Sequence, residues 1–328
     1  MTKREAFFDN YKALLIICVV IAHFLNHFKP EFPIARVVRI YIYFFHVPAF
    51  AFISGHFARK KDLKILSKQF IFPFILFQLV YYGMYQLIDH NVHFSLTSPY
   101  FTLWYIVALF FWRIAFNYLE HIRFLLPISI GLALCIGFLP DRFDYFSIYR
   151  IVSFFPFFVM GNRFEKESFM ELKNRYLTRM ISCVFLFILF MFVMEHYKSI
   201  DLDMLNHQDS YENLGVGTKG IIQNIMILLT SALSIYGIGF LVPLKANLFT
   251  FVGKNTMSIY LLHGLIYKYI SLGTDYLDYV DSELDLLLYI CSLIGMVCIL
   301  SKVPLNRYMN NLYDILKLPY TKIKALTI

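Results

Sequence analysis

The sequence predicts an all-α, polytopic membrane bundle of about ten transmembrane helices with both termini in the cytoplasm. Three observations predict it. The first is composition: 328 residues are 59% hydrophobic, 19% aromatic and only 16% charged, with mean hydropathy +0.60, where a soluble domain carries about a quarter charged residues. The second is a series of ten apolar runs of membrane-spanning length. The third is the uneven placement of lysine and arginine between those runs.

The runs fall at 11–28, 38–57, 67–88, 99–118, 124–139, 146–163, 179–196, 219–242, 249–270 and 284–302. The first is almost wholly apolar from Ala13 to Ala22, and no small-residue cleavage site follows it, so it is expected to stay as an anchor. The second contains Pro48, which loosens a helix and frees a carbonyl. The fifth is the shortest and holds Gly131 and Gly137. The longest outward connection, about 197–218, contains Gly215 and Gly217 and is either an ordinary solvated loop or a cover for an outer opening. No second soluble domain and no internal repeat is evident, so residues 1–328 read as a single membrane domain.

Alternating the connections gives twenty lysines and arginines on one side and six on the other, taken as 29–39, 89–98, 140–145, 196–219 and 271–285. The richer side holds both termini, which the positive-inside rule places in the cytoplasm. The net charge of +8 is therefore a topology signal, and no nucleic-acid partner is expected. Cys18, Cys135, Cys183, Cys291 and Cys298 all lie in apolar runs without a CxxC pair, which reads as buried inert thiols with no metal site.

Polar residues inside the spans are the candidates for chemistry, because an ionisable group at membrane depth faces a bundle interior or a wet cavity. Lys12 and His23 stand eleven positions apart on the first span, within roughly 20° of one face and about 16 Å apart along the axis. His23, His46, Trp104, Arg150 and His263 come from five different spans and fall at similar depth. Each has a bland alternative. His23 is either functional or a structural hydrogen-bonding group. His46 either caps the defect made by Pro48 or takes part in chemistry. Trp104 is either an aromatic-belt residue or a platform for a sugar ring. Arg150 stays protonated and needs an anionic or carbonyl partner, from a substrate or from the protein. Thr256, Tyr260 and His263 share a helix face that lines a chamber or glues helices together. Arg59, Lys60 and Lys61, in the first cytoplasmic loop, are either topology determinants or a phosphate site.

Several blocks together resemble a known family. Lys12 followed by ten residues and His23, the block from Phe45-His46-Val47-Pro48 to Ser54-Gly55, Leu103-Trp104-Tyr105, Arg150 to Met160-Gly161, and Gly253-Lys254-Asn255 to His263 are similar to signatures of the membrane acyltransferase-3 family. The flavour is that of the sugar O-acetylase branch, of the fucose 4-O-acetylase type. Many relatives carry Arg-x-x-Arg in the first cytoplasmic loop, where this chain reads Arg59-Lys60-Lys61-Asp62.

The resemblance implies transfer of an acetyl group from cytosolic acetyl-CoA to a hydroxyl of a cell-envelope polysaccharide or a lipid-linked sugar precursor, in the bacterial cytoplasmic membrane. His23 is expected as general base, since a histidine is neutral and basic near its ordinary pKa of about 6.5. Arg150, Trp104, His46 and His263 would bind substrate or oxyanion, and Lys12, Arg59, Lys60 and Lys61 would hold the acyl donor. A flippase for a lipid-linked sugar or a proton-coupled carrier is the competing expectation. Such a carrier would show matched interrupted helices in two halves, and none is evident.

Overall fold

A computed structural model describes residues 6–28, 32–88 and 92–326, with side chains described as far as Lys317. Lys3, Arg4 and Lys29, and the side chains of Lys322 and Lys324, entered the charge count but lie outside the described residues. All regular structure among the described residues is helical.

In chain order the helices are α1 (Ala6–Phe24), α2 (Pro33–Tyr43), α3 (His46–His56), α4 (Leu63–Leu66), α5 (Phe72–Ile88), α6 (Trp104–Leu119), α7 (Leu125–Cys135), α8 (Ile148–Asn162), α9 (Lys166–Asn174), α10 (Tyr176–His196), α11 (Leu202–Asn206), α12 (Lys219–Leu241), α13 (Thr250–Lys254), α14 (Thr256–Gly273), α15 (Glu283–Leu300) and α16 (Leu305–Leu326). Six stretches are long and apolar enough to cross a membrane: α1, α2 with α3, α4 with α5, α10, α12 and α15. The other four expected runs are also helical. Of these, α6, α7 and α8 are shorter, while α14 carries Thr256, Ser258, Tyr260, His263 and Lys268. The chain is a multi-pass helical membrane protein.

The second, fourth and ninth expected spans depart from a helix over their whole length. The second begins earlier than expected, at Pro33, and breaks at Phe44 and Phe45. Pro48 has no N–H for the Phe44 carbonyl, and the Nδ1–H of His46 donates to the Ile42 carbonyl at 2.9 Å, beside the bend. The fourth begins only at Trp104, because residues 99–103 are irregular and Phe101 has φ of 45°. Gln78 holds that irregular segment, donating to the Ser95 and Ser98 carbonyls at 2.6 and 2.9 Å and accepting from the Tyr100 N–H. The ninth breaks at Asn255 into α13 and α14. Beyond the spans, α9 and α16 are helices in segments expected only as connection and tail. Cys135, Cys183 and Cys291 point outward from the bundle rather than into it.

The first helix, α1, sits at the centre, against α2, α3, α13, α14 and α15. Its inner end is pinned by polar contacts. Asn10 donates to the carbonyls of Pro243 and Lys245 at 2.9 and 2.8 Å and accepts from the Thr250 hydroxyl at 2.6 Å. The Tyr11 hydroxyl donates to the Ile235 carbonyl at 2.7 Å. On α9, Lys173 places its ammonium on the carbonyls of Gly239, Phe240 and Val242, satisfying the C-terminal end of α12.

Three glycines let helices meet without side chains between them. A Cβ on Gly55 of α3 would fall on the Phe158 carbonyl of α8, one on Gly161 of α8 would fall on the Phe52 carbonyl of α3, and one on Gly253 would fall on the Asp9 carbonyl of α1. Gly55 and Gly161 are reciprocal, so α3 and α8 cross backbone to backbone, as small residues allow in membranes. Replacing Gly161 with alanine forces that crossing apart and is expected to cost about 1–3 kcal/mol or more, as overpacking does. Thermal unfolding of the purified protein checks it: Gly161→Ala lowers the midpoint clearly, whereas Gly83→Ala, at a position with open space, does not.

Candidate active site

The glycine contacts bring the polar residues of several helices together. His23 projects from α1, His46 opens α3, and His263 comes from α14. Their rings meet edge to face, with His23 centred 6.5 Å from His46 and 5.4 Å from His263. Phe101 closes the group, its ring 4.9 Å from His23, and it stacks in turn on Tyr267. The left-handed backbone at Phe101 is a strained conformation of the kind held in place at functional sites.

The three histidines differ in how they are held. The Nδ1–H of His46 donates to the Ile42 carbonyl, and that of His263 donates to the Ile259 carbonyl at 2.9 Å. Each neutral ring is thereby fixed in one tautomer with its proton on Nδ1. His263 is fully buried, and its Nε2 has no hydrogen-bond partner among the described residues. The His23 ring makes no hydrogen bond among the described residues, and the residue is only half-buried.

Two cavities converge on His23. The inner one, about 180 Å³, is lined by Lys12, Ile16, Val19, Phe50, Met257 and Tyr260 among others, and is mostly apolar. The outer one, about 680 Å³, is polar and includes Arg36, Arg39, Asp144, Arg150, Asp203 and Gln208. His23, His46, Val47 and Trp104 line both. Lys12, at the far end of the inner cavity from His23, is ion-paired with Asp9 at 2.9 Å.

Trp104 and Arg150 form one unit. The Arg150 guanidinium lies 4.9 Å from the Trp104 ring centre, and that ring stacks on Phe154. Trp104 is buried, so it is not an aromatic-belt residue. Arg150 donates to the side-chain carbonyl of Gln208, from the loop after α10, which gives it the carbonyl partner its depth demands. Its Nε remains buried without a hydrogen-bond partner among the described residues.

That loop is not the plain solvated connection that was one reading of its composition. It buries Leu202, Met204 and Leu205 of α11 and lays Asp201, Asp203, Asn206 and Gln208 along the outer cavity. Further along, the Ser210 N–H donates to Asp141 at 2.8 Å, and Tyr211 donates its N–H to Gly137 and its hydroxyl to Leu134. The loop covers the outer opening.

Arg59, Lys60 and Lys61 line neither cavity. Arg59 donates to the Ala58 carbonyl at 2.8 Å, Lys60 pairs with Glu120, and Lys61 donates to Gln69 at 3.0 Å. Beside them Arg113 of α6 donates to the Phe57 carbonyl at 3.1 Å, leaving its Nε buried without a partner. The charge of Arg113 is felt both at Tyr105, which lines the inner cavity, and at Lys61. Arg113 thus stands between the basic loop and the inner cavity.

Two residues escaped the sequence reading. Arg39 was counted as an outer-loop charge, but it lies on α2, buried, and lines the outer cavity. A Pro-led helix start at Pro33 was the available signal. Gln78 is fully buried and positions the segment carrying Phe101. A lone glutamine in an apolar run gave only the general hint that buried polar groups must find partners.

The cover carries a pH prediction. His207 of the outer loop packs on Phe154, and burial, followed by the charge of Arg150, pushes its pKa down to about 4. In an open loop the ordinary value of about 6.5 applies. The docked loop binds the proton less well than the open one, so docking weakens as pH falls from about 6.5 and the cost is complete below about 4. Hydrogen exchange of residues 199–214, corrected for intrinsic rates, should speed up across that window in the wild type. His207→Gln should lose the dependence.

The acyltransferase domain family model matches residues 5–301. No curated protein and no solved structure gives a significant match. His23, His46 and Trp104 line both cavities and Arg150 the outer one, while His263 lines neither and reaches them only through the His23 ring. The family match over nearly the whole chain, on a helical membrane bundle, identifies this chain as a member of the membrane acyltransferase-3 family.

Proposed function

We propose that this acyltransferase moves an acetyl group from cytosolic acetyl-CoA to a hydroxyl of an envelope polysaccharide or lipid-linked sugar, as a fucose 4-O-acetylase-like enzyme of a bacterial cytoplasmic membrane. The observation that carries the proposal is that His23 lines both the inner and the outer cavity. A donor arriving from one face and an acceptor arriving from the other would meet at that ring.

The inner cavity suits the acyl-bearing arm of a thioester. Ile16, Val19, Phe50, Ile53 and Leu109 give it apolar walls, and Lys12 puts a cation along them. The phosphates of the donor would lie at the basic face made by Arg59, Lys60, Lys61 and Arg113, where guanidinium and ammonium groups hold phosphate oxygens.

His23 acts as general base. As the acceptor oxygen bonds to the thioester carbonyl carbon, a ring nitrogen of His23 takes the hydroxyl proton. The C–S bond then breaks, and the imidazolium returns its proton to the departing thiolate, so His23 ends neutral. His46 and His263, tied to backbone carbonyls, hold the His23 ring from two sides. Arg150 and Trp104 orient the acceptor across the outer cavity.

Removing a general base costs about 10²–10⁴-fold. The test is base-labile O-acetyl content of envelope glycans in cells expressing wild type or His23→Ala at equal membrane level. Acetyl present in the first and lost in the second supports the proposal. Equal acetyl in both removes His23 from the chemistry, and acetyl in neither removes the proposed acceptor class.

A further inference from the structure

Three carboxylates, Asp144, Asp201 and Asp203, line the outer cavity, and no ion pair joins them to its arginines among the described residues. Arg36, Arg39 and Arg150 all line it. Arg36 is spent on structure, donating to the carbonyls of Tyr197 and Ile200 at 3.0 and 3.2 Å. Arg39 is not. It is 5% exposed, its guanidinium lies 5.8 Å from the Tyr43 ring centre, and its Nε and Nη1 are buried with no hydrogen-bond partner among the described residues. No carboxylate pairs with it among the described residues.

Two acids of the cavity hold backbone N–H groups. Asp201 caps α11 by accepting from the Asp203 N–H at 2.8 Å, and Asp144 accepts from the Tyr149 N–H at 3.3 Å. Asp144, Asp203 and Asp209 act on Arg150, whose Nε is nonetheless without a hydrogen-bond partner among the described residues. A buried guanidinium with unmet donors is costly unless something supplies acceptors. Arg39 and Arg150 line the same cavity as His23, so whatever they bind shares that cavity with the reacting histidine.

We propose that Arg39 and Arg150 form an oxyanion site in the outer cavity, so that the acceptor carries a phosphate or carboxylate close to the hydroxyl that is acylated. The inference rests on the acyl-transfer reading of the same cavity and narrows its acceptor to an anionic sugar. Guanidinium suits the task because its planar fork meets two oxygens of one phosphate or carboxylate. The oxyanion has two possible sources, the diphosphate of a lipid-linked sugar or an acid group on the glycan itself.

Trp104, beneath Arg150, is a built-in reporter. The only other tryptophan, Trp112, donates to the Ile151 carbonyl and lines neither cavity. The purified full chain in nanodiscs would be titrated at constant ionic strength with sodium pyrophosphate, sodium glucuronate and glucose, following tryptophan emission. The expected result is a saturable change with at least one anion and none with glucose, lost in Trp104→Phe and weakened about tenfold or more in Arg39→Gln. Arg39→Lys, which keeps the charge, should recover part of the affinity, and a melting curve for each variant confirms folding.

Tighter pyrophosphate binding assigns the diphosphate source, and tighter glucuronate binding assigns the acidic glycan. No saturable anion binding in the wild type, or the same affinity in folded Arg39→Gln, overturns the proposal. Cleavage of acetyl-CoA by the same wild-type preparation is read alongside. Cleavage without anion binding would sink the oxyanion site alone, while absence of cleavage would count against the acyl-transfer reading.

Discussion

At Gly55, Gly161 and Gly253 the backbone of one helix occupies the volume that a Cβ on its neighbour would need. In a bilayer, where lipid tails are as apolar as leucine, helices gain little by hiding apolar faces from solvent and depend on close approach instead. Those contacts fix where α3 and α8 cross and where the α13–α14 unit meets α1. They therefore fix where His46, Arg150 and His263 stand around His23. The blocks that resemble family signatures are the same segments that carry these glycines. A packing requirement and a chemical requirement are written into one stretch of sequence.

The second constraint is that polar groups at membrane depth must be satisfied inside the protein. Here it is met by spending side chains on backbone. Asn10, Gln78 and Lys173 donate to carbonyls of irregular segments or helix ends, and Tyr11 and Trp112 donate to carbonyls within α12 and α8. His46 and His263 do the same for the preceding turn of their own chain. Other groups, such as Arg113 Nε, Asn224 Oδ1 and the Tyr289 hydroxyl, are unspent singly elsewhere among the described residues. Four stand together: the His23 ring, the buried nitrogens of Arg39 and Arg150, and Nε2 of His263. They gather about one point between two cavities, and that is why the site is read there and not at other polar residues of the bundle.

Much of this was legible in the sequence. The ten apolar runs all become helices, because length and hydrophobicity alone select helix in lipid. The five polar residues at equal depth do share a neighbourhood, since equal depth is a necessary condition for meeting. Sequence failed where local backbone overrides the apolar pattern. Phe101 in a left-handed turn delays the fourth span and Asn255 breaks the ninth, whereas the break of the second beside Pro48 is the one the sequence announces. Arg39 was lost because a charge near a span end looks like a loop residue, although the helix reaches back to Pro33. The outer loop looked solvated because it is acidic and glycine-bearing, yet its few apolar residues, Leu202, Met204 and Leu205, suffice to dock it. The basic loop at Arg59–Lys61 stands apart from the cavity it was expected to serve, with Arg113 between them.

The central claim is that donor and acceptor reach His23 from opposite faces. It is tested most directly in proteoliposomes of known orientation, with radiolabelled acetyl-CoA confined to one side of the bilayer and an envelope-glycan acceptor to the other. The account predicts labelled acceptor when acetyl-CoA is on the face bearing Arg59, Lys60 and Lys61 and the acceptor is on the face bearing the 197–218 loop, and none when the two are exchanged. Labelling only when both substrates share one face would contradict it.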